Sequence, residues 1–421
     1  MAKRVVVVGQ GYVGLPLAVR AAEVGHRVIG YDVDVNRIKS LIAGESYVED
    51  VSTASLAGAL EGGGYLPSAD ERDLAGFDIA MITVPTPLRD GVPDLSHIEA
   101  ASRTLARHLR KGAAVVLEST TYPGTTEELV CPLLEEGSGL TVGVDFHLGY
   151  SPERIDPGNR RWNVTNTPKL VSGVGAASTD ALVAFYGTLT STPVPVSSPK
   201  VAELAKLIEN TFRHVNVALV NEIAIYAHEL GIDIWEAVDA ASSKPFGFMR
   251  FTPGPGVGGH CLPVDPEYLS WRVHRTLGRR FRFIELAAHI NNQMPGYAVQ
   301  RLLLAFNARQ RSLKGARVLL LGLAYKPNTS DARQSPSLRV AELLLQLGAQ
   351  VRAADPHVME SVAMDPRVER VPFCGEELDD ADAVVILTDH DEFDYEMVGR
   401  RARYVLDCRR RLRSAGNVEV L

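Results

Sequence analysis

The stretch Arg4–Asp32 restricts the fold more than any other part of the chain. Arg4-Val5-Val6-Val7-Val8 is short, β-branched and apolar, the composition of a strand buried on both faces of a parallel sheet. It runs straight into Gly9-Gln10-Gly11-Tyr12-Val13-Gly14, then into a helical pattern through Leu15, Leu17, Ala18, Ala21 and Ala22. Gly25 closes that helix, and His26–Tyr31 reads as a second strand leading to Asp32. Strand, glycine turn, helix, strand and acid together make a dinucleotide-binding fingerprint, where a lone GxGxxG would carry little. The glycines permit a tight turn and bring a pyrophosphate onto the helix N-terminus. Gly9, Gly11, Tyr12, Val13 and Gly14 are therefore candidate cofactor contacts. Asp32, 18 residues past Gly14, is placed to take the adenosine ribose hydroxyls and to repel a 2′-phosphate. That favours NAD over NADP, although Arg37 is of the type that accepts such a phosphate.

Later strands of the same sheet are Asp78–Thr83 and Ala113–Glu118. Each ends in a loop rich in Thr and Pro, Val84–Pro87 and Ser119–Thr125, which contain Thr86 and Thr121. Ligands of open α/β sheets lie beyond the carboxyl ends of strands, so these loops are expected to line a cleft. Phe146–Tyr150 leads into Ser151-Pro152-Glu153-Arg154-Ile155-Asp156-Pro157-Gly158. Glu153 is a loop carboxylate, solvated unless the fold brings it to a reacting group.

From Lys200 to Leu230 there is no proline or glycine, and apolar residues recur at Val201, Leu204, Ala205, Ile208, Phe212, Val215, Leu219, Ile223 and Ala227. This predicts a helix of about eight turns. Such a helix is longer than one domain needs, and is expected to join two domains and pack against a symmetry mate. Lys206 and Asn210, at i and i+4, project from one face of it. After a shorter helix, Asp233–Ser243, comes Pro253-Gly254-Pro255-Gly256-Val257-Gly258-Gly259-His260-Cys261-Leu262-Pro263-Val264-Asp265-Pro266. Asp265-Pro266 reads as an Asp N-cap with Pro in the first helical position. Cys261 then lies one short turn before a helix N-terminus, where the dipole favours a thiolate. A packed, inert cysteine is the plainer reading of such a residue taken alone. Another long helix carries Glu285, Asn291 and Asn292, passes Pro295 and continues to about Gln310.

Arg317–Gly322, Gln350–Asp355, Asp382–Leu387 and Tyr404–Asp407 then read as a second parallel sheet. In place of a glycine fingerprint it has Gly322-Leu323-Ala324-Tyr325-Lys326-Pro327-Asn328, with Arg333 beyond. The fold class expected is α/β: two Rossmann-like parallel-sheet domains joined by a long central helix and an all-helical dimerisation region. Boundaries fall at 1–197, 198–311 and 312–421, a division that 421 residues accommodate.

A net charge of −7 speaks against general nucleic-acid or membrane-surface binding. No apolar run approaches membrane-spanning length, and the four valines after Lys3-Arg4 are too few for a signal-peptide core. Cys131, Cys261, Cys374 and Cys408 have neither disulfide-framework nor zinc spacing, so no metal is expected. The expected compartment is cytoplasmic and reducing.

GQGYVGLPLA, ESTTYPGTT, SPERIDPGN, VAELAKLIENTFRHVNVALVNE, GPGVGGHCLPVDP and GLAYKPNTSDARQSPS occur in this order along nearly the whole chain. In this the chain resembles the nucleotide-sugar 6-dehydrogenases of the UDP-glucose and UDP-N-acetylhexosamine family. The resemblance implies an NAD-dependent four-electron oxidation of a sugar C6 alcohol to the carboxylate, without release of aldehyde. It implies Cys261 as nucleophile, forming a thiohemiacetal and then a thioester, and Lys206 and Asn210 as oxyanion holders. Asp265 would assist the thiol, and Glu153 and Thr121 would position the hydrolytic water, with Glu153 a candidate general base. Substrate contacts would be Glu153, Arg154, Lys206, Asn210, Gly258, Gly259, Lys326, Arg333 and Arg409, the cations serving the UDP diphosphate. Partners implied are a UDP-sugar and a second copy of the chain, as a homodimer or higher homo-oligomer. Val264 stands where UDP-glucose enzymes often carry lysine. KPFGF, SPERIDPGN and GGHCLPVDPEYLSW look more like the bacterial UDP-N-acetylglucosamine branch, with UDP-glucose as the alternative and a nucleotide such as TDP left open. A two-electron β-hydroxyacid-type dehydrogenase and a non-catalytic NDP-sugar sensor are the remaining readings.

Overall fold

The computed structural model describes residues 2–48, 50–155, 159, 161–359 and 362–421. Asp156, Pro157 and Gly158 of SPERIDPGN lie outside the described residues. The chain forms two compact units, residues 1–209 with 271–278, and residues 210–270 with 279–421.

The first unit is built on β1 (Arg4–Val8), α1 (Gly14–Glu23), β2 (Arg27–Tyr31), β3 (Tyr65–Ser68), β4 (Ile79–Ile82), β5 (Ala114–Leu117), β6 (His147–Tyr150), β7 (Lys169–Gly173), α2 (Ala176–Leu189) and β8 (Pro193–Pro195). Its sheet has the order β8-β7-β6-β5-β4-β1-β2-β3. Strands β1 to β6 are parallel, and β7 turns antiparallel to β6. The run β3-β2-β1-β4-β5-β6 is the doubly wound dinucleotide order, with its crevice where the order reverses beside β1. Val5, Val7, Met81 and Val116 share one sheet face and pack with Leu15 and Ala18 of α1 and Leu182 of α2. The β-branched runs thus formed the buried strands expected of them.

Helix α3 (Pro199–Glu229) leaves this unit and enters the second. It is followed by α4 (Ile234–Ser242), α5 (Asp265–Leu277) and α6 (Arg282–Ala308), in which Pro295 is internal. A sheet of β9 (Arg317–Leu321), β10 (Gln350–Ala354), β11 (Glu369–Arg370), β12 (Ala383–Ile386), β13 (Val405–Asp407) and β14 (Val418–Val420) completes the second unit, with α7 (Pro336–Gln346) on its first crossover. Its order β11-β10-β9-β12-β13-β14 is parallel throughout and repeats the doubly wound pattern.

One expectation needs correction here. Asp265 is the first residue of α5 rather than its N-cap, and its carboxylate accepts from Asn210 Nδ2. The Asp-Pro signal placed the helix start one residue late, a difference of the size at which helix ends ordinarily vary. Helix α3 formed over nearly the residues the sequence marked for it. Its apolar stripe is largely outward: Val201, Leu204, Ile208, Phe212, Leu219 and Ile223 are each 38% or more exposed. The inward face instead carries Glu203, Lys206, Asn210, His214 and Asn221 among small and apolar residues such as Ala202, Leu207 and Ala218.

Candidate active site

In the first unit the glycine turn has the form its sequence predicts. Gly9 has φ +96°, and a Cβ there would stand 2.8 Å from the Thr83 carbonyl oxygen. A Cβ on Gly14 would meet Gly9 O at 1.8 Å, whereas one on Gly11 would meet nothing within 4 Å. The turn is therefore packed tightly below and open above Gly11, which fits a pyrophosphate lying over it. Helix α1 starts without a side-chain cap, its preceding residue being Val13. Tyr12 beside it is exposed, and Thr86 in the loop after β4 is buried. Asp32 is buried; its carboxylate accepts from Gln10 N at 2.8 Å and Asp34 N at 2.9 Å. Arg37 reaches the same carboxylate at 2.8 Å and lies over the Tyr47 ring at 5.6 Å. The arginine suspected of accepting a 2′-phosphate is thus engaged by the very acid that disfavours one.

The loop after β5 is fixed from α3. Thr121 is fully buried, its hydroxyl 2.6 Å from that of Thr125. Glu203 accepts from Gly124 N at 2.6 Å, Thr126 N at 2.9 Å and the Thr126 hydroxyl at 2.7 Å. These donors offset the burial of a carboxylate whose pKa burial pushes up. Lys206, one turn along α3, is 8% exposed.

Glu153, read from sequence as a solvated loop acid, is an ion-pair partner instead. Its Oε1 accepts from Arg154 N at 2.7 Å and Ile155 N at 2.8 Å, and Oε2 lies 3.3 Å from Lys169 Nζ. Burial alone would raise this carboxyl, but Lys169, the two backbone N–H groups and Lys206 together hold it below the usual carboxylate value. Arg154 is committed to Glu209 at 2.7 Å and to the Pro168 carbonyl at 2.7 Å. Glu118, Lys169 and Glu203 were not picked out from sequence. The available signals were weak ones: an acid ending an apolar strand, a lysine opening another, and an acid on a helix face later found buried.

In the second unit Cys261 is exposed, whereas Cys131 and Cys408 are buried and Cys374 is intermediate. Burial pushes the Cys131 thiol up to about 11 and the Cys408 thiol up to about 12, so both stay protonated at neutral pH. The Cys261 carbonyl accepts from Val264 N at 3.3 Å and Asp265 N at 2.9 Å, forming the single turn before α5. Asn210 and Asp265, 5% and 4% exposed, are hydrogen-bonded to each other.

The glycines around Cys261 have a packing reason. Gly259 has φ +83°, and a Cβ there would strike the Tyr325 ring at 2.8 Å. One on Gly258 would meet Gln334 O at 2.7 Å. Gly259 N donates to Arg333 O at 2.9 Å, tying the cysteine loop to the segment after β9. At its other end Gly254 N donates to Asn221 Oδ1 at 3.0 Å, and Asn221 Nδ2 donates to Asn291 Oδ1 at 3.0 Å. Asn291 in turn donates to His214 O at 3.3 Å, and burial lowers the His214 pKa to about 4, leaving it neutral.

The turn after β9 engages more of its backbone within the chain than the first turn does. Leu323 N and Ala324 N donate to Asp355 Oδ2 at 2.6 and 3.0 Å, and His390 Nε2 lies 3.0 Å from the same oxygen. Those two N–H groups are engaged, which leaves an anionic ligand to other donors, cationic side chains among them. Lys326 lies over the Tyr325 ring at 5.9 Å, Arg333 pairs with Asp331 at 2.6 Å, and Arg409 donates from Nε to the Leu387 carbonyl at 2.7 Å. No helix among the described residues is long and apolar enough to cross a membrane.

Comparisons with known proteins agree along the length of the chain. Models of the UDP-glucose/GDP-mannose dehydrogenase family match as NAD binding domain over residues 3–190, central domain over 200–293 and UDP binding domain over 319–414. The UDP-N-acetyl-D-mannosamine dehydrogenase of Pyrococcus horikoshii is 36% identical over 95% of this chain and 93% of its own. The UDP-N-acetyl-D-glucosamine 6-dehydrogenase of Pseudomonas aeruginosa is 40% identical over 86% of this chain and 84% of its own. Among solved structures, a P. horikoshii UDP-D-ManNAc dehydrogenase superposes with TM-score 0.91 at 34% identity, covering 99% of this chain and 98% of that one. A Pyrobaculum islandicum UDP-glucose dehydrogenase gives 0.89 at 32% identity, covering 100% and 97%.

Proposed function

Because the chain belongs to the UDP-glucose/GDP-mannose dehydrogenase family, we propose that it oxidises the C6 alcohol of a UDP-N-acetylhexosamine to the carboxylate in two steps on one enzyme. It is an NAD-dependent nucleotide-sugar dehydrogenase. The finer reading is N-acetylglucosamine, with its C2 epimer N-acetylmannosamine and glucose as the competing substrates. The observation that supports four electrons rather than two is Cys261, exposed on a glycine-rich loop beside the buried Asn210–Asp265 pair.

NAD, when bound, supplies the hydride acceptor for both oxidations. The chain's residues do the rest. In the first oxidation C6 loses a hydride and its hydroxyl a proton, and Lys206 and Asn210 stabilise the alkoxide as it forms. The Cys261 sulfur then adds to the aldehyde carbon, with Asp265 assisting the transfer of the thiol proton to the new hydroxyl. The thiohemiacetal loses a second hydride and a proton to become a thioester. Water adds to that carbon with Glu153 taking a proton, the C–S bond breaks, and the sulfur is reprotonated. Lys326, Arg333 and Arg409 serve the diphosphate as charge-assisted donors. The three-part division at 197 and 311 remains our proposal for the domains. Product stoichiometry tests the whole reading: two NADH per sugar with one of the N-acetylhexosamines supports it, and one NADH per sugar rejects it.

Two further results are expected. Catalytic efficiency with NAD should exceed that with NADP by about tenfold or more, or 1.4 kcal/mol. Asp32→Ala should narrow the gap by releasing Arg37, and equal efficiencies in the wild type would refute the assignment. The outward apolar stripe of α3 is a contiguous surface that a second copy would cover, so a two-fold dimer is expected. Sedimentation at assay concentration checks this, and an active monomer would refute it.

A further inference from the structure

The first unit buries a cluster of charges. Lys169 Nζ lies 2.8 Å from Glu118 Oε2, 3.3 Å from Glu153 Oε2 and 3.3 Å from the Pro152 carbonyl. Lys169 is 5% exposed and Glu118 1%. The Tyr186 hydroxyl of α2 donates to the second Glu118 oxygen, and its ring lies 5.4 Å from the Lys169 ammonium. Lysine and glutamate are seldom buried so deeply unless each satisfies the other. One ammonium here faces two carboxylates. Glu118 is the fully enclosed one, while the Glu153 side chain keeps 15% exposure and so has an outward edge.

We infer that Lys169 is a positioning residue for thioester hydrolysis: it grips Glu153 from the buried side, with Glu118 and Tyr186 fixing the ammonium in turn, and so holds that carboxylate in the orientation in which it acts on water. The inference rests on the hydrolytic step proposed above. Among the described residues, two backbone donors hold Oε1 and Lys169 holds Oε2, three of a carboxylate's roughly four acceptor positions, so that a water on Oε2 is compatible with these contacts. The step itself moves no electrons. A water proton goes to Glu153, the water oxygen bonds to the carbonyl carbon, and the C–S bond breaks as sulfur takes up a proton.

Among the described residues, the charged and titratable groups around Glu153 include Lys169 of β7, Lys206 of α3, Glu118 after β5 and the neighbouring Arg154–Glu209 pair, with Tyr186 of α2 behind Glu118. Burial works to raise the Glu153 carboxyl, and Lys169 is the foremost influence lowering it. A carboxylate with a lowered pKa remains a base down to lower pH. Removal of the cation therefore moves its protonation upward, and hydrolysis fails first on the acid side.

The test follows pre-steady-state NADH formation and steady-state turnover across pH in the full enzyme. Lys169→Gln should keep the initial burst of two NADH per active site, slow the later turnover, and move its acidic limb up by about one pH unit or more. Lys169→Arg should return the limb to its wild-type position. Lys169→Met/Glu118→Gln removes cation and anion together, which a buried pair tolerates better than loss of one member, and should move the limb upward as well. That variant decides the matter if Lys169→Gln does not fold. A folded variant whose acidic limb stays in place, or whose burst and turnover fall in proportion, overturns the inference and leaves Lys169 a structural ion pair. Failure of the underlying function would show separately, as a wild-type enzyme that forms one NADH per sugar.

Discussion

Cys261→Ser is expected to bind UDP-sugar with wild-type affinity, lose steady-state turnover by on the order of a thousandfold, and accumulate a covalent sugar-nucleotide adduct. A thousandfold is about 4 kcal/mol of barrier. The binding half of the expectation follows from the loop's anchors, which do not involve the thiol. Gly254 is held by Asn221, Gly259 by Arg333, and the Gly258-Gly259 step lies on the Tyr325 ring. The chemical half follows from the leaving group. A serine hydroxyl can add to the aldehyde, but it is a weaker nucleophile, and the oxygen ester it yields hydrolyses less readily than a thioester. Intact mass should therefore rise by the acyl group of the sugar nucleotide. Cys261→Ala removes the adduct altogether, and should stop at the aldehyde with one NADH per sugar. The other cysteines offer no substitute, since Cys131 and Cys408 are buried thiols with raised pKa values. If Cys261→Ser gives two NADH per sugar at near wild-type rate with no adduct, the covalent route is wrong. The two-electron β-hydroxyacid reading would then gain ground.

What sequence could and could not reveal divides along physical lines. Strands β1, β4, β5, β9 and β12 were legible because a parallel strand buried on both faces needs a short unbroken run of apolar residues. The glycine turn was legible because a positive φ at Gly9 and a close approach at Gly14 leave no other residue type. Helix α3 was visible as a helix with more apolar face than one domain needs, but its buried polar face was not. Periodicity marks an apolar face without saying whether the same chain covers it, and here Ile208 and Phe212 face outward while Lys206 and Asn210 are buried. The polar residues turn inward because each has work there, as Glu203 does in holding Gly124 and Thr126. The Glu153 environment was illegible for a similar reason. Lys169 and Glu118 reach it from neighbouring strands of the sheet, and nothing local to SPER announces them. Gly258 and Gly259 were read as a place for ligand to come close, and an aromatic ring of the chain itself occupies one side.

Lys206→Ala is expected to slow both oxidations by about a hundred- to a thousandfold, or roughly 3–4 kcal/mol, the usual effect of removing one oxyanion donor. Lys206 is 8% exposed, and a lysine so buried loses hydration that only a specific anion can replace. Within its own unit it bears on Glu153, whose carboxyl it helps to keep low, but it ranks there behind Lys169 and the backbone donors. In the reaction proposed here the second anion would be the C6 oxygen, as alkoxide in the first oxidation and again in the thiohemiacetal. Both hydride transfers should therefore fall together. No ester should accumulate, because the step that forms it is slowed at least as much as the step that consumes it. Lys206→Arg should recover little, since a planar guanidinium does not replace a compact ammonium at a buried position. The two buried lysines are thus distinguishable by kinetics alone. Loss of Lys169 should spare the burst and shift the acidic limb, and loss of Lys206 should abolish the burst at every pH. A Lys206→Ala enzyme with an intact burst of two NADH, slow only in hydrolysis, would move Lys206 from the oxidations to the hydrolytic group around Glu153. The alkoxide would then rest on Asn210 alone.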